Sequence, residues 1–135
     1  MKNILFYGGS SLLSNILSQY WKEKFNLYLG LNRKWIEIPG TKSIQLNHNK
    51  IKDLETIILD NNIDVIINLS GYTNVENCES NNDLAYYLNG YLPGEISKVS
   101  SKLNKKLIHI STDHIFNGNN KFYSEDSKPD PLNIY

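Results

Sequence analysis

The chain has 135 residues, a formal net charge of zero and 21% charged residues. Its length accommodates one domain with a hydrophobic core but not two. A neutral chain offers a polyanion such as DNA no broad electrostatic attraction, so we expect no nucleic-acid partner.

The N-terminus and the cysteine content bear on cellular location. The apolar run that begins after Met1 is too short for a signal peptide or a membrane span. The single cysteine, Cys78, excludes an intrachain disulfide, and this content is typical of a reducing compartment. We therefore expect a cytoplasmic protein without a membrane partner.

Short apolar runs alternate with segments of helical periodicity, a pattern typical of βα units and a parallel sheet. The first half predicts, in chain order, a strand over residues 3–7, an amphipathic helix over 12–21, strands over 26–31 and 43–46, and a helix over 51–60. The second half predicts a strand over 64–69, a long helix over 83–103 interrupted by Pro93, and a strand over 106–110. We predict an α/β fold, a Rossmann-like, doubly wound parallel sheet of about five strands, whose ligands bind beyond the carboxyl ends of the strands.

The turn after the first strand is short and contains glycine, as a dinucleotide site requires. Glycine permits a tight turn there, so that backbone N–H groups approach a pyrophosphate at the start of the following helix. A plain βα turn explains the same residues equally well. The candidate phosphate-binding residues are Gly8, Ser10, Ser11 and Leu12.

The segment after the second strand, residues 31–34, contains two bases and no acid. Dinucleotide folds use a carboxylate near this point for the ribose 2′-OH of NAD, whereas a cation suits the 2′-phosphate of NADP. Arg33 is the better candidate because its planar fork matches a phosphate, and Asn32 lies beside it. The pattern favours NADP(H) over NAD(H), although solvated loop charges explain the same bases.

The fourth predicted strand runs into small residues. A cofactor ring can lie across the end of a strand where the side chains are small, and the candidates here are Leu69, Ser70, Gly71 and Tyr72. Asn89 in the next helix is a further candidate, with a buried polar residue that satisfies backbone groups as the alternative.

The fifth predicted strand ends in hydroxyl and carboxylate side chains, Ser111, Thr112 and Asp113. Ketone reduction by a nicotinamide needs a proton donor beside the carbonyl oxygen and a second donor that holds this oxygen. Thr112 and Tyr135 would supply these two contacts, and Asp113 would help to position substrate or proton. His114 is expected to form a wall of the site.

These motifs together resemble the dTDP-4-dehydrorhamnose reductases, NAD(P)-dependent sugar-nucleotide reductases of the extended short-chain dehydrogenase/reductase class. The resemblance is carried most by three segments, residues 68–73, 110–118 and 123–135. It implies that Tyr135 is the proton donor and Thr112 its partner at the oxygen. It also implies cofactor contacts by Asn89 and by Asn47, which stands where relatives carry an adenine-contacting Asp.

The resemblance further implies a lysine shortly after Tyr135 and a C-terminal substrate-binding region, neither of which lies within these 135 residues. We therefore expect residues 1–135 to form an incomplete NAD(P)-binding Rossmann domain with little turnover of its own. The expected function is the cofactor-binding part of an NADPH-dependent reductase of a nucleotide-linked 4-keto sugar; a catalytically silent NADP-binding subunit is the alternative. An open sheet edge with an uncovered apolar face favours a homodimer or other self-association. No metal site is predicted.

Overall fold

A five-stranded parallel sheet forms the centre of the computed structural model, which describes residues 1–135. The strands are β1 (Asn3–Tyr7), β2 (Asn26–Leu31), β3 (Thr41–Gln45), β4 (Val65–Asn68) and β5 (Lys106–His109). Their order across the sheet is β3-β2-β1-β4-β5, and every neighbouring pair is parallel. The predicted α/β class and the Rossmann-like, doubly wound sheet are therefore confirmed.

Helices cover both faces of this sheet. They are α1 (Leu12–Trp21), α2 (Asp53–Asp60), α3 (Val75–Ser80), α4 (Asn82–Ala85) and α5 (Leu92–Lys102). A π-helical segment, Tyr86–Tyr91, joins α4 to α5, and a 3₁₀ turn spans Asp113–Ile115. Sequence periodicity predicts neither α3 nor the 3₁₀ turn, because segments this short do not complete an apolar repeat. None of the helices is both long and apolar enough to cross a membrane.

The core consists of two apolar layers, one on each face of the sheet. Successive residues of β1 point to opposite layers, so Leu5 packs in the layer under α2 and α5, while Phe6 packs in the layer under α1. Both side chains are completely buried. Burial on both faces explains why β1 and β4 are continuous apolar runs rather than alternating ones.

The helix predicted over residues 83–103 is interrupted near Pro93, as expected. Pro93 lies in the first turn of α5, directly after helical residues, and it has no N–H to donate to a carbonyl of the preceding turn. The π-helical segment Tyr86–Tyr91 precedes it, and such segments insert one extra residue into a helix. Asn89 lies within this segment, and its side chain reaches the loop after β4.

The strand β5 forms one edge of the sheet and remains partly uncovered. Its only strand neighbour is β4, and the side chains of Ile108 and Ile110 are 39% and 47% exposed. An open strand edge beside exposed apolar side chains favours association. Self-association of the chain therefore stays a prediction, with these residues as its structural basis.

Candidate active site at the switch point of the sheet

The chain changes direction across the sheet between β1 and β4, because it proceeds from β1 to β2 and β3 on one side and from β4 to β5 on the other. Ligands of doubly wound sheets bind at this switch point, beyond the carboxyl ends of the strands. A cavity of about 220 Å³, here called the switch-point cavity, lies there. Ligand pockets usually exceed roughly 300 Å³, so this cavity accommodates one end of a dinucleotide rather than the whole. Its lining residues are Ser11, Leu13, Leu69, Ser70, Gly71, Thr73, Asn89, His109, Ile110, Ser111, Thr112, Ile115 and Tyr135.

The turn after β1 depends on Gly8. This residue has a φ of +90°, and a Cβ on it would lie 2.8 Å from the backbone nitrogen of Ser70, so glycine is required both for conformation and for close approach. The turn is closed by a hydrogen bond of 3.1 Å from the Ser11 N–H to the Gly8 carbonyl. It leads directly into α1, whose first N–H groups have no intrahelical partner and are suited to phosphate. Ser10 and Leu12 are exposed at this turn and do not line the cavity.

In the family that the sequence resembles, three glycines fall at the positions of Gly8, Ser11 and Ser14, and this chain has only the first. The Ser11 side chain caps α1 by accepting a hydrogen bond of 3.1 Å from the Ser14 N–H. Ser14 is completely buried, and its hydroxyl has no hydrogen-bond partner. The close approach of the turn to β2 rests instead on Gly9, which the sequence patterns do not single out, since a Cβ on it would lie 2.8 Å from the Cα of Leu29. The turn therefore keeps its compact shape without the full glycine pattern.

Asn68, the last residue of β4, is completely buried and organises the loop that follows. Its Oδ1 accepts hydrogen bonds from the Ser70 N–H (3.0 Å) and the Ser70 hydroxyl (2.6 Å). The amide Nδ2 consequently faces His109 Nδ1, at 3.1 Å. Because Nδ2 is a donor, His109 Nδ1 must accept, and the imidazole is neutral with its proton on Nε2. The alternation of His109 with apolar neighbours predicts a surface residue; the ring is exposed, but it also lines the switch-point cavity.

This arrangement predicts that the folded state loses stability as the pH falls below about 6.5, the ordinary pKa of histidine. Partial burial lowers the pKa of His109 in the fold, and protonation would also remove the acceptor for Asn68. The unfolded chain therefore binds the proton first, so acid favours unfolding until the pH passes the lowered value of the folded state. Urea unfolding at a series of pH values measures the effect.

The matched variant for this experiment is His109→Gln, which retains an acceptor but does not titrate. We expect a smaller loss of stability with acid in the variant. A residual slope of the same sign is expected from His48, because burial and the nearby Arg33 charge lower its pKa as well. Identical pH dependence in the wild type and the variant would contradict the role assigned to His109.

Asn89 connects the loop after β4 to the last residue of the chain. Its Oδ1 accepts from the Tyr72 N–H at 2.7 Å, and its Nδ2 donates to the carbonyl oxygens of Tyr72 (3.1 Å) and Tyr135 (3.2 Å). Gly71 leaves room for this contact, because a Cβ on it would lie 3.3 Å from Asn89 Oδ1. Asn89 thus satisfies backbone groups and also lines the switch-point cavity, whereas Tyr72 contributes its backbone and does not line it.

The hydroxyl-bearing residues predicted for catalysis meet at the same cavity. Thr112 and Tyr135 line it together with the loop after β4 and with Ser111, which is predicted to contact the cofactor. Thr112 Oγ1 accepts a hydrogen bond of 3.2 Å from the His114 N–H and begins the 3₁₀ turn. Asp113 does not line this cavity, and its carboxylate lies 3.4 Å from the Thr112 hydroxyl. Asp113 therefore lies beside Thr112 but outside the cavity.

His114 packs beside Tyr135 but does not line the switch-point cavity, so its expected place in the wall of the site stays a prediction. The two rings pack edge to face, with centroids 5.4 Å apart, and His114 Nδ1 lies 3.2 Å from Asn133 Nδ2. Thr112 and Tyr135 both line this cavity, and threonine and tyrosine are residue types that can hold and protonate a carbonyl oxygen. No group of three or more His, Cys, Asp or Glu side chains clusters as a metal ion would require.

The candidates after β2 and β3 lie outside the switch-point cavity, further along the carboxyl edge of the sheet. Arg33 is exposed and forms no ion pair, Asn32 is half-buried, and Asn47 Oδ1 accepts a backbone N–H within its own turn at 2.9 Å. His48, which the sequence patterns do not single out, stacks on Tyr7 with ring centroids 5.3 Å apart. Burial of the His48 ring lowers its pKa, and the positive charge of Arg33 lowers it further.

Comparison with known proteins gives a consistent result. Residues 1–135 match the family model described as the RmlD substrate binding domain. The chain is 33% identical to the probable low-salt glycan biosynthesis reductase Agl14 of Haloferax volcanii. This match extends over 132 residues, which are 95% of this chain and 43% of that relative. A hypothetical dTDP-4-dehydrorhamnose reductase from Sulfolobus tokodaii superimposes with a TM-score of 0.87 and 31% identity over 100% of this chain and 48% of that one. The Bacillus anthracis dTDP-4-dehydrorhamnose reductase in complex with NADP superimposes with a TM-score of 0.83 and 25% sequence identity. The match covers 100% of this chain and 45% of that one.

These comparisons confirm the resemblance to dTDP-4-dehydrorhamnose reductases that the motifs at residues 68–73 and 110–135 predict. The chain spans less than half the length of these relatives and matches their N-terminal part. Since the family model covers the chain from its first residue to its last, the chain belongs to the RmlD substrate binding domain family.

Proposed function

We propose that the chain is the NADP-binding part of a reductase that acts on the 4-keto group of a nucleotide-linked sugar. One observation carries this proposal: Thr112 and Tyr135 line the same cavity as the loop after β4. Two relatives support it, because the Haloferax volcanii protein is named a reductase and the Bacillus anthracis reductase is in complex with NADP.

The residues at the switch point fit a nicotinamide dinucleotide. Gly8 keeps open the space that a Cβ would fill against Ser70, and α1 begins immediately beyond the turn. The first N–H groups of α1, next to Ser11, would hold the pyrophosphate. Ser70 and Gly71 would border the nicotinamide end, with Asn89 fixing the loop that carries them.

The nicotinamide supplies a hydride to the ketone carbon when it is bound. Tyr135 gives its phenolic proton to the carbonyl oxygen, and the Thr112 hydroxyl donates a hydrogen bond that orients this oxygen. The contact between Thr112 and Asp113 is weak, at 3.4 Å, so the hydroxyl can turn from the carboxylate to a substrate. Tyrosines in general have a pKa of about 10, so catalytic ones need a nearby cation. The family resemblance implies a lysine for this purpose shortly after Tyr135.

The preference for NADPH is tested by Arg33→Ala. A guanidinium that binds the 2′-phosphate forms a charge-assisted contact, so its loss should weaken NADPH binding by about ten- to hundredfold. NADH lacks this phosphate, and its affinity should be unchanged. Parallel titrations of the wild type and the variant with the two cofactors measure both effects.

Lys34→Ala is the matched control, because Lys34 is the adjacent exposed base. It should weaken NADPH binding much less than Arg33→Ala does. An equal loss of NADPH affinity in the two variants would indicate a general electrostatic attraction. A loss of NADH affinity in Arg33→Ala as large as that of NADPH affinity would contradict a 2′-phosphate contact at Arg33.

Reductase activity is tested in the full-length protein by following NADPH oxidation with dTDP-4-dehydrorhamnose and with UDP-linked 4-keto sugars. We expect oxidation that depends on such a substrate. If NADPH binds but none of these substrates supports its oxidation, the reductase proposal is contradicted. That result would favour a catalytically silent NADP-binding subunit.

A further inference from the structure

Residues 116–135 contain no helix or strand, yet this segment carries Tyr135 to the switch-point cavity. A segment of this kind needs tertiary contacts to hold one conformation. Two hydrogen bonds from other elements reach residues 134 and 135. Glu79 Oε1 accepts from the Ile134 N–H at 2.8 Å, and Asn89 Nδ2 donates to the Tyr135 carbonyl at 3.2 Å.

Neighbouring contacts fix the backbone of Glu79 on α3, while its side chain is exposed. Glu79 lies on α3 next to Cys78, which is completely buried and whose thiol donates to the Tyr72 carbonyl at 3.2 Å. The Asn74 side chain caps the start of α3. The same Tyr72 peptide is held by Asn89. The two side chains that hold residues 134–135 therefore lie on helices that are both hydrogen-bonded to the loop after β4.

The contact made by Glu79 is of a strong type. A carboxylate that accepts from a backbone N–H forms a charge-assisted hydrogen bond, which is shorter and stronger than a neutral one. Ile134 directly precedes Tyr135, so the bond fixes the peptide from which the catalytic side chain extends. Displacing a reacting group by about 1 Å can lower a rate on the order of a hundredfold.

We infer that Glu79 is a positioning residue for Tyr135 and acts through the Ile134 N–H. This inference rests on the proposed role of Tyr135 as the proton donor. The carboxylate itself does not line the switch-point cavity, so Glu79 holds the tyrosine in place without contacting the reacting atoms.

Nuclear magnetic resonance of the chain tests the anchoring without reference to activity. In Glu79→Ala, exchange of the Ile134 amide should accelerate by about tenfold or more. The Tyr135 ring signals should shift, because the edge contact with His114 would loosen. Glu79→Gln keeps an acceptor oxygen, so its Ile134 exchange rate and its Tyr135 ring shifts should lie close to those of the wild type. Glu76→Ala is the matched control, since Glu76 is exposed on the same helix and lacks such a contact.

Kinetics of the full-length protein test the consequence for catalysis. Glu79→Ala should lower kcat by about tenfold, with the KM for NADPH unchanged, and Glu79→Gln should restore most of the rate. Unchanged Ile134 exchange in Glu79→Ala, or an equal loss of kcat in Glu76→Ala, would overturn the inference. If the wild type lacks reductase activity while the resonance changes occur, the proposed function fails and the anchoring of Tyr135 by Glu79 stands.

Discussion

Replacing Gly8 by alanine is expected to lower the free energy of unfolding by about 2–5 kcal/mol and to abolish cofactor binding. A residue with a side chain costs roughly 1–2 kcal/mol in a left-handed conformation, and Gly8 has a φ of +90°. Overpacking adds about 1–3 kcal/mol, because the new Cβ would lie 2.8 Å from the Ser70 nitrogen. Ser70 cannot move aside without breaking its hydrogen bonds to the buried Asn68.

Gly118→Ala separates these two contributions. Gly118 also has a positive φ, +77°, but a Cβ on it would meet no atom within 4 Å. Its replacement should cost only about 1 kcal/mol from backbone strain. Denaturant unfolding followed by tryptophan fluorescence, to which Trp21 packed against Phe6 contributes, gives the free energy of unfolding of both variants. If Gly8→Ala and Gly118→Ala lower the free energy of unfolding equally, the tight contact between the turn after β1 and the loop after β4 is contradicted.

If Tyr135 is the proposed proton donor, Tyr135→Phe is expected to lower kcat of the full-length protein by about 10²–10⁴-fold, the usual contribution of a general acid. The substitution removes only the phenolic hydroxyl. The hydrogen bond from Asn89 to the Tyr135 carbonyl involves the backbone and should remain. NADPH affinity and stability should therefore stay close to those of the wild type.

Tyr86→Phe is the matched control for this measurement, because Tyr86 is 62% exposed and lies away from the cavity. Its kcat should equal that of the wild type. Full activity in Tyr135→Phe would remove this residue from the chemistry and would assign proton transfer to another group. A parallel loss of NADPH binding would instead indicate a structural role.

The sheet and α1 are predictable because their signals are local. The apolar runs at residues 3–7 and 65–68 reflect burial on both faces of one parallel sheet. The π-helical segment Tyr86–Tyr91 is not predictable in this way, since an inserted residue leaves no clear period in a short stretch. Pro93 marks the restart of the helix, but its position does not specify the form of the interruption.

The candidate site is predictable where a motif supplies its residues and not where the fold brings distant residues together. Thr112 and Tyr135 are predicted from the resemblance, and they do line one cavity. Gly9 and Glu79 are missed because their roles depend on β2 and on residue Ile134, neither of which is near them in sequence. The tautomer of His109 likewise depends on an asparagine 41 residues away.

Equilibrium titration of the chain with NADPH and with NADH measures most directly whether the switch point holds a nicotinamide dinucleotide. We expect saturable one-to-one binding of NADPH, tighter than that of NADH by about tenfold or more because of the Arg33 contact. The same titration of Gly8→Ala should show no saturation. Absence of saturable binding of either cofactor to the wild type at millimolar concentration would contradict a dinucleotide site between β1 and β4.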